Sequence, residues 1–267
     1  MDPALEAQFS LAGRGAVITG AASGMGREAA RVFAQAGARL VLADVDADGL
    51  AETAALVAPW TTDVATLVTD VGDREAVRAL GRLAEGRGSV DVWANVAGVH
   101  AVIKLAEIAE DDVDRLVSVN LKGPLWGALA AVRIMADQGR GSIINISSSS
   151  ADQPGAGATV YAMTKAAVNA MTRNLALEAG PSGIRVNAIA PGYVNTPFVA
   201  FRFRRSDGSI DEVRRDKVFA HAAGLTPLNT IGQPSDVALA MLYLASDASR
   251  FVTGQVLRPN GGIVMPL

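Results

Sequence analysis

Short apolar runs rich in β-forming residues alternate with stretches of helical periodicity from residue 15 to the end of the chain. Such alternation is typical of βαβ units, in which the strands are parallel and right-handed crossovers place helices on both faces of the sheet. The pattern therefore predicts an α/β fold in which all 267 residues form one doubly wound domain. The predicted strands span residues 15–19, 39–43, 66–69, 90–95, 142–147, 184–189 and 255–257, and the predicted helices span 24–36, 47–57, 74–85, about 110–137 with a bend near Gly123-Pro124, 160–178 and 235–246.

The composition excludes several kinds of site and partner. The chain has no cysteine, which rules out disulfides, thiolate metal sites and thiol nucleophiles and suits a reducing cytoplasm. Its net charge of −3 lacks the basic surplus that favours nucleic-acid binding. The N-terminal residues MDPALE have no apolar core, and no uncharged stretch is apolar for the length that spans a bilayer. We therefore expect a cytoplasmic protein with no metal, membrane or nucleic-acid partner.

A glycine-rich loop joins the first predicted strand to the first predicted helix. Residues 19–26 read TGAASGMG, which spaces Gly20, Gly24 and Gly26 as G-x-x-x-G-x-G. Glycine lets a backbone turn tightly and approach a pyrophosphate closely, and a helix N-terminus offers free N–H groups to an anion. The loop therefore predicts a dinucleotide site, with a glycine-rich turn that serves packing alone as the alternative.

Two aspartates follow the next two predicted strands. Asp44 lies 18 residues after Gly26, where a carboxylate can accept hydrogen bonds from both ribose hydroxyls and would repel a 2′-phosphate. The residues that follow it are Val45 and Asp46 rather than a cation, so the sequence favours NAD over NADP. Asp70 could bond the adenine amino group. For both aspartates the alternative is a cap of the following helix.

Tyr161 and Lys165 lie four residues apart in a helical pattern and therefore share one face of the helix. A free tyrosine has a pKa of about 10 and is a poor acid–base catalyst at neutral pH. A nearby ammonium favours the phenolate and lowers that pKa. The spacing therefore predicts an activated tyrosine.

Polar residues at two other positions could complete a catalytic centre. Ser148 lies 13 residues before Tyr161, at the end of a predicted strand, and its hydroxyl could hold a substrate oxygen. Asn120 could support a water-linked proton path to Lys165. The neighbouring serines Ser147, Ser149 and Ser150 compete with Ser148, or the whole run forms a polar turn.

In combination these residues make the chain resemble the short-chain dehydrogenase/reductase family along nearly its whole length. The order and spacing of the matching segments carry the resemblance. They are residues 19–26, Asp70-Val71, Asn95-Val96-Ala97-Gly98, Asn120, Ser148, Tyr161 with Lys165, and Pro191-Gly192.

The resemblance implies a seven-stranded Rossmann-like sheet in the order 3-2-1-4-5-6-7, with hydride transfer between nicotinamide and a substrate carbon. It implies Tyr161 as the general acid–base group and Ser148 as its oxygen-orienting partner. Lys165 would lower the pKa of Tyr161 and bind the nicotinamide ribose, and Asn120 would complete a proton relay. The expected NAD contacts are Gly20, Ser23, Gly24, Met25, Gly26, Asp44, Asp70, Val71, Asn95, Ala97, Gly98, Tyr161, Lys165, Pro191, Gly192, Val194 and Thr196.

The chain departs from the family pattern at two positions, neither of which is a catalytic group. Val96 replaces the second asparagine of the usual N-N-A-G segment. Asn260 begins an Asn-Gly-Gly segment where family members often have aspartate. We expect small differences in packing at both places.

Residues 198–224 interrupt the alternation and resemble the variable substrate loop of the family, about 197–224. One interpretation is a mobile lid with an apolar inner face. Its arginines either attract an anionic substrate group or form a solvated charge run, which is the commoner case. The loop carries Phe198, Phe201 and Phe203 together with Arg202, Arg204 and Arg205, and the candidate substrate residues are His100, Gln153, Tyr193 and Phe198.

The leading function is therefore NAD-dependent interconversion of a secondary alcohol and a ketone. The nearest alternative is a 3-oxoacyl-thioester reductase, although Asp44 argues against the NADPH preference common among those enzymes. A halohydrin-dehalogenase-like lyase is disfavoured because the dinucleotide glycines and Lys165 are present, and a non-catalytic nucleotide sensor because the catalytic residues are intact. The resemblance also implies a homotetramer, built on the outer faces of helices 110–137 and 160–178.

Overall fold

The computed structural model describes residues 2–205 and 207–266. Within them, seven parallel strands form one sheet. These are β1 Gly15–Thr19, β2 Arg39–Asp44, β3 Val64–Val68, β4 Val92–Asn95, β5 Gly141–Ile146, β6 Ile184–Ile189 and β7 Val256–Leu257. Their spatial order is β3-β2-β1-β4-β5-β6-β7, which confirms the doubly wound sheet and the strand order that the resemblance implies.

Nine α-helices accompany the strands in the described ranges. They are α1 Pro3–Phe9, α2 Gly24–Gln35, α3 Ala47–Val57, α4 Arg74–Glu85, α5 Glu110–Val117, α6 Gly123–Gln138, α7 Thr159–Ala179, α8 Glu212–Gly224 and α9 Pro234–Ala245. None of them combines the length and the apolar character needed to cross a bilayer.

Two of these helices were not anticipated from the periodicity. Helix α1 begins after Asp2, whose side chain accepts a hydrogen bond from Ala4 N at 2.8 Å. Helix α8 forms the second half of the segment expected to be the substrate loop, so the interruption of the alternation ends at Asp211 rather than at Gly224. Asp211 caps α8 by accepting from Arg214 N at 2.9 Å. Both helices bury few residues, so they lack the apolar stripe from which a helix is most easily predicted.

Alternate side chains of the strands pack into two apolar layers. On one face, Ile18, Leu42 and Ile144 pack with α2, α3 and α9. On the other face, Val17, Val41 and Ile143 pack with α4, α6 and α7. The sheet is therefore covered by helices on both sides, and only the ends of the strands remain open for a site.

The long helix expected over 110–137 is divided by a π-helical turn, Ser118–Lys122. The N–H of Gly123 donates to Ser118 O, five residues back. Pro124 has no N–H, so the carbonyl of Asn120 lacks the donor that an α-helix supplies four residues further on. The expected bend is thus a change of helix type, and Asn120 lies in the middle of the π-helical turn.

At the opposite end of the sheet, Asp91 joins the starts of two strands. Its carboxylate accepts from Gly15 N at 3.0 Å, Ser89 Oγ at 2.7 Å and Arg140 Nε at 2.9 Å. Burial by itself raises the pKa of Asp91, but these donors outweigh it and leave the pKa below its usual value. A charge buried in this way is stable because it is paired and hydrogen-bonded.

Candidate active site

The glycine-rich loop brings three segments of backbone into direct contact. Gly20 has a φ of +69°, and a Cβ there would lie 2.6 Å from Ala97 N. A Cβ on Gly26 would lie 2.0 Å from Gly20 O. No side chain fits at either position, so the spacing of the glycines allows β1, α2 and the end of β4 to approach closely.

Two side chains that were not singled out in the sequence hold this loop. Thr19 Oγ1 accepts from Val96 N at 3.1 Å and from Ala97 N at 3.3 Å. Arg27 donates to Ala22 O and to Thr53 Oγ1. A cation in the first turn of a helix is unfavourable for the helix dipole. In the sequence, the unfavourable position of Arg27 near the start of a helix is therefore the signal that its side chain binds a nearby backbone carbonyl.

A cavity of about 250 Å³ opens above the glycine loop, and we call it the loop cavity. It is lined by the glycines and by both predicted aspartates, Asp44 and Asp70. Neither aspartate caps a helix, because Asp46 caps α3 and Asp73 caps α4. Asp44 accepts from Ala22 N at 3.0 Å through Oδ2, and Asp70 accepts from Gly72 N at 2.8 Å. The capping alternatives are therefore wrong for both.

A second cavity, of about 200 Å³, adjoins the first, and we call it the tyrosine cavity. Tyr161, Lys165 and Ser148 all line it. Its wall is completed by residues after β6 and from the segment Pro197–Arg202, a 3-10 helix. The residues that line both cavities are Met25, Val96, Gly98, Thr196 and Phe198.

Burial governs the ionisation of the two central residues. It raises the pKa of Tyr161 to about 12, and the Ser148 hydroxyl opposes this only in part. It lowers the pKa of Lys165 to about 8. The Lys165 ammonium lies 5.8 Å from the centre of the Tyr161 ring and donates to Ile146 O at 2.9 Å. In the protein alone, desolvation of the phenolate therefore outweighs the expected lowering of the Tyr161 pKa by Lys165.

The run of four serines divides into separate roles. Ser147 is buried and donates to Lys165 O at 3.0 Å, so it is a structural residue. Ser148 lies against the Tyr161 hydroxyl and also accepts from Ser150 N at 3.1 Å. Ser149 and Ser150 line the tyrosine cavity without such a contact to the tyrosine. Among the four, Ser148 is therefore the one placed to share an oxygen with Tyr161.

Asn120 is fully buried and lines neither cavity. Its side-chain amide accepts from Val99 N at 2.9 Å and donates to Val99 O at 2.8 Å. The side chain thus fixes the backbone after β4, immediately behind Gly98. The side chain therefore has a positioning role, and the π-turn leaves the Asn120 carbonyl without its usual helical partner. The water-linked proton path from Asn120 to Lys165 stays a prediction.

Asn95 is also buried and lines neither cavity, so its side chain is not placed to contact a cofactor there. Its Oδ1 accepts from Trp93 Nε1 at 2.9 Å, and its Nδ2 donates to Asn145 Oδ1 at 2.9 Å and to Pro124 O at 3.3 Å. Asn145 in turn donates to Thr172 Oγ1 at 3.0 Å. These bonds link β4 and β5 to α6 and α7, and we call the group the asparagine network.

The other expected cofactor contacts surround the two cavities. Those along the loop cavity include Ser23, Val71 and Ala97, and those along the tyrosine cavity are Pro191, Gly192 and Val194. The two departures from the family pattern are accommodated by packing. Val96 packs in the apolar core and also lines the loop cavity. Asn260 stabilises the C-terminal turn by donating to Val264 O at 2.8 Å.

An aromatic cluster forms part of the wall of the tyrosine cavity. The His100 ring lies 4.4 Å from the Tyr161 ring, 5.8 Å from Phe198 and 5.2 Å from Phe201, measured between centroids. Burial, aided by the charges of Arg202 and Lys165, lowers the pKa of His100 to about 4. His100 is therefore neutral at physiological pH, and its Nδ1 is buried without a partner among the described residues.

The remaining substrate candidates are divided between two cavities. Tyr193 lines the tyrosine cavity, as do His100 and Phe198, whereas Gln153 lines a third cavity beside it. The arginine cluster is divided as well. Arg205 lies 3.4 Å from Asp211, Arg204 is exposed, and Arg202 reaches the cavity wall. The loop therefore contributes one of its three arginines to the site.

These contacts define what the site can do chemically. A tyrosine hydroxyl, a serine hydroxyl and a buried amine meet in a cavity that opens into a cleft shaped by glycine backbone. The tyrosine can give or take a proton at a substrate oxygen, and the cleft has the position at which doubly wound sheets bind nucleotides, at the carboxyl ends of the strands.

Comparisons with known proteins agree with this geometry. A family model described as enoyl-(acyl carrier protein) reductase matches residues 20–264. The chain is 35% identical to the 3-oxoacyl-[acyl-carrier-protein] reductase of Thermotoga maritima, over 96% of this chain and 99% of that protein. It is 37% identical to the galactitol 2-dehydrogenase (L-tagatose-forming) of Cereibacter sphaeroides, over 95% of this chain and 96% of that protein. The structure of a short-chain type dehydrogenase/reductase from Mycobacterium marinum superposes with a TM-score of 0.87 and 31% identity, covering 97% of this chain and 98% of that one.

Proposed function

This chain belongs to the short-chain dehydrogenase/reductase family, and we propose that it is an NAD(H)-dependent enzyme that interconverts a secondary alcohol and a ketone. One observation carries the proposal. The side chains of Tyr161, Ser148 and Lys165 line a cavity that adjoins the loop cavity, whose lining includes the three glycines of the loop and Asp44. The residues present therefore fit a dinucleotide whose nicotinamide end lies toward Tyr161.

The proton chemistry follows from the side chains. When bound, the nicotinamide supplies or accepts the hydride. In ketone reduction, Tyr161 donates its hydroxyl proton to the carbonyl oxygen, which becomes the alcohol. In oxidation, the Tyr161 phenolate takes the alcohol proton as the hydride leaves the carbinol carbon. Ser148 holds the substrate oxygen in both directions, and Lys165 compensates negative charge on the tyrosine oxygen.

A 3-oxoacyl-thioester reductase remains the second candidate. The observation that favours it is the 35% identity to a Thermotoga maritima protein of that name across almost the whole of both chains. Enzymes of that group commonly prefer NADPH. Asp44 argues against this preference here, because its carboxylate lines the loop cavity and would repel a 2′-phosphate. A nucleotide sensor without activity is disfavoured because Tyr161, Lys165 and Ser148 are all present and share one cavity.

The deciding experiment is a panel of secondary alcohols with NAD and of ketones with NADH, together with a 3-oxoacyl thioester, monitored at the absorbance of the reduced cofactor. We expect turnover of at least one alcohol–ketone pair. Turnover of the thioester alone would replace the proposal with the second candidate, and an inert panel despite measurable NADH binding would favour the sensor.

Cofactor choice gives a separate prediction. We expect kcat/KM for NADH to exceed that for NADPH by at least about tenfold, because a 2′-phosphate would meet the Asp44 carboxylate. Asp44→Asn should narrow this ratio, since it removes the charge and keeps an oxygen that can accept from Ala22 N. The measurement is kcat/KM with each cofactor for both proteins.

Asp46→Asn is the matched control for this test. Asp46 is two residues away and carries the same charge, but it caps α3 and does not line the loop cavity. Asp46→Asn should leave the cofactor ratio unchanged. Equal use of NADPH by the parent protein, or an equal effect of the two substitutions, would contradict the assignment of Asp44.

We also propose that the protein assembles as a homotetramer, as the resemblance implies, and that it is cytoplasmic, as its lack of cysteine favours. Helices α6 and α7 support this because they expose apolar side chains on their outer faces, among them Leu129, Met163 and Leu177. Exposed apolar patches of this kind often mark interfaces between subunits.

A further inference from the structure

A third cavity, of about 510 Å³, lies directly beside the tyrosine cavity, and we call it the basic cavity. Its walls come from helix α8, from Arg202 at the end of the 3-10 helix, and from residues 153–155 after the serine run. The two cavities share part of their lining. The shared residues are Ser149, Ser150, Tyr193, Arg202 and Ile263.

The lining of the basic cavity carries positive charge and no carboxylate. It includes Arg202, Arg214, Lys217 and His221. The last three are spaced at i, i+3 and i+7 along α8, so they lie on one face of that helix. Arg214 and Lys217 were not anticipated as site residues because the segment was expected to be a loop.

The acidic residues near this face are already paired with other arginines. Asp211 lies 3.4 Å from Arg205, and Arg215 pairs with both Glu212 and Asp216. Across residues 2–205 and 207–266, Arg202, Arg214 and Lys217 make no ion pair. Asp211 also interacts electrostatically with Arg214, but no carboxylate lines the cavity itself. The lining therefore has a net positive charge, whose field a concave wall concentrates.

Two residues at the junction of the two cavities, Arg202 and Tyr193, have polar groups that a ligand could contact. The Arg202 guanidinium lies 5.8 Å from the ring centre of Tyr193 and 5.6 Å from that of Phe201, which holds it on the wall between the cavities. The hydroxyl of Tyr193 is buried and has no hydrogen-bond partner among the described residues. A buried hydroxyl without a partner is costly, so it points to a group that binds there.

We infer that the basic cavity binds an anionic group, a carboxylate or a phosphate, carried by the substrate at a distance from its reacting carbon. This rests on the proposed function, because the reacting carbonyl or carbinol carbon is placed at Tyr161 in the adjoining cavity. Arg202, Arg214 and Lys217 hold the anionic end, and the Tyr193 hydroxyl donates to it or to the segment that passes between the cavities. The substrate class is thus an alcohol or ketone with a remote negative charge, such as a hydroxy acid or a hydroxyalkyl phosphate.

The kinetic test uses three ketones of matched chain length, which end in a methyl, a carboxylate or a phosphate group. We expect kcat/KM to be at least about tenfold higher for one of the two anionic ketones than for the neutral one. The carboxylate and phosphate arms show which anion the cavity selects. The advantage should shrink as NaCl is raised, because the cations are exposed and therefore screened by salt. No advantage for either anion would overturn the inference and leave the proposed function standing.

Substitutions of single residues test whether the basic cavity causes the preference for the anionic ketone. Arg214→Gln and Lys217→Gln should each reduce the ratio of kcat/KM for the anionic ketone to that for the neutral ketone by about two- to fivefold, the upper part of the range for one exposed ion pair. Arg204→Gln is the matched control, since it removes the same charge from the same segment at a residue that does not line the cavity. An equal effect of Arg204→Gln would show general charge attraction and overturn the inference.

Binding of inorganic phosphate, titrated by calorimetry, separates failure of this inference from failure of the proposed function. We expect binding that Arg214→Gln weakens and Arg204→Gln does not. If no ketone is turned over but phosphate binds in this pattern, the proposed function fails and the anion site stands. If ketones are turned over and phosphate binding is absent or equally affected by both variants, the anion site fails.

Discussion

Replacing Tyr161 with phenylalanine is expected to reduce kcat by at least about 10²-fold, the lower end of what a general acid–base group contributes. The ring would still pack against His100 and Phe198, so the variant should keep the fold. NADH binding should also persist, because only the ionisable oxygen is lost. Steady-state turnover, NADH fluorescence titration and circular dichroism measure the three properties.

Tyr243→Phe provides the matched control for this experiment. Tyr243 lies on α9 and lines none of the three cavities, so removal of its hydroxyl should leave turnover unchanged. Ser148→Ala should also lose activity, because Ser148 is the serine in contact with Tyr161. If Tyr161→Phe and Ser148→Ala both kept most of their activity, the proposed catalytic centre would have to be abandoned.

The pH dependence gives a further readout of Tyr161. Burial raises the pKa of this hydroxyl to about 12, so it is protonated at neutral pH and ready to donate to a ketone. Alcohol oxidation needs the phenolate. We therefore expect the rate of oxidation to increase with pH into the alkaline range and the rate of reduction to decrease there. The opposite pH dependences of the oxidation and reduction rates should be absent in Tyr161→Phe.

Lys165→Met is the second substitution for which we expect a large effect. It removes the cation that compensates charge on the tyrosine oxygen, so kcat should fall by about 10²-fold. NADH binding should weaken by about tenfold or more, because a hydrogen bond from a charged group to the ribose would be lost. Turnover at saturating substrate and NADH titration measure the two losses separately.

The stability of the same variant distinguishes catalysis from structure. Burial lowers the pKa of Lys165 to about 8, so the folded chain holds this proton less tightly than the unfolded chain, and the charge opposes folding at neutral pH. Lys165→Met removes that cost, so the urea midpoint should not fall. Any stability gain should shrink as the pH rises from about 8 towards the ordinary value of 10.5, where the unfolded chain also loses the proton.

Lys104→Met is the control for the loss of a lysine. Lys104 is exposed and paired with Glu107 at the surface, so its replacement should alter neither activity nor NADH binding. A marked fall in the stability of Lys165→Met, in proportion to its loss of activity, would show that Lys165 serves the fold rather than the reaction.

The sequence was sufficient to predict the sheet because its apolar runs are local signals. The strand 15–19 and the helices 47–57 and 74–85 have the same bounds in the structure as in the sequence pattern. Helix α8 was missed because it buries only Ala222, so tertiary contacts and its Asp211 cap stabilise it rather than an apolar stripe. Local signals thus predict buried elements better than peripheral ones.

The positions of the site residues were also predictable, but some of their roles were not. Gly26 and Tyr161 follow from spacing along the chain. The role of Asn95 depends on Asn145, which is 50 residues away, and the role of Asn120 depends on Val99, 21 residues away. The ionisation of Tyr161 depends on how completely the folded chain buries it. Contacts between distant segments decide these properties, and no local pattern records them.

The asparagine network limits which amino-acid substitutions can accumulate singly during the evolution of this protein. Trp93, Asn95, Asn145 and Thr172 are all buried. One bond joins two residues on the same face of β4, and the other two bonds join different secondary-structure elements. An apolar replacement of Asn95 alone would leave the donors and acceptors of its neighbours without hydrogen-bond partners. Each buried group left unpaired would lower the free energy of unfolding by about 1–3 kcal/mol. Replacing the partners together removes that penalty, so the effects of the substitutions are not additive. Homologous lineages should therefore keep or lose these four side chains as a set, and intermediates that carry only some of them should be rare.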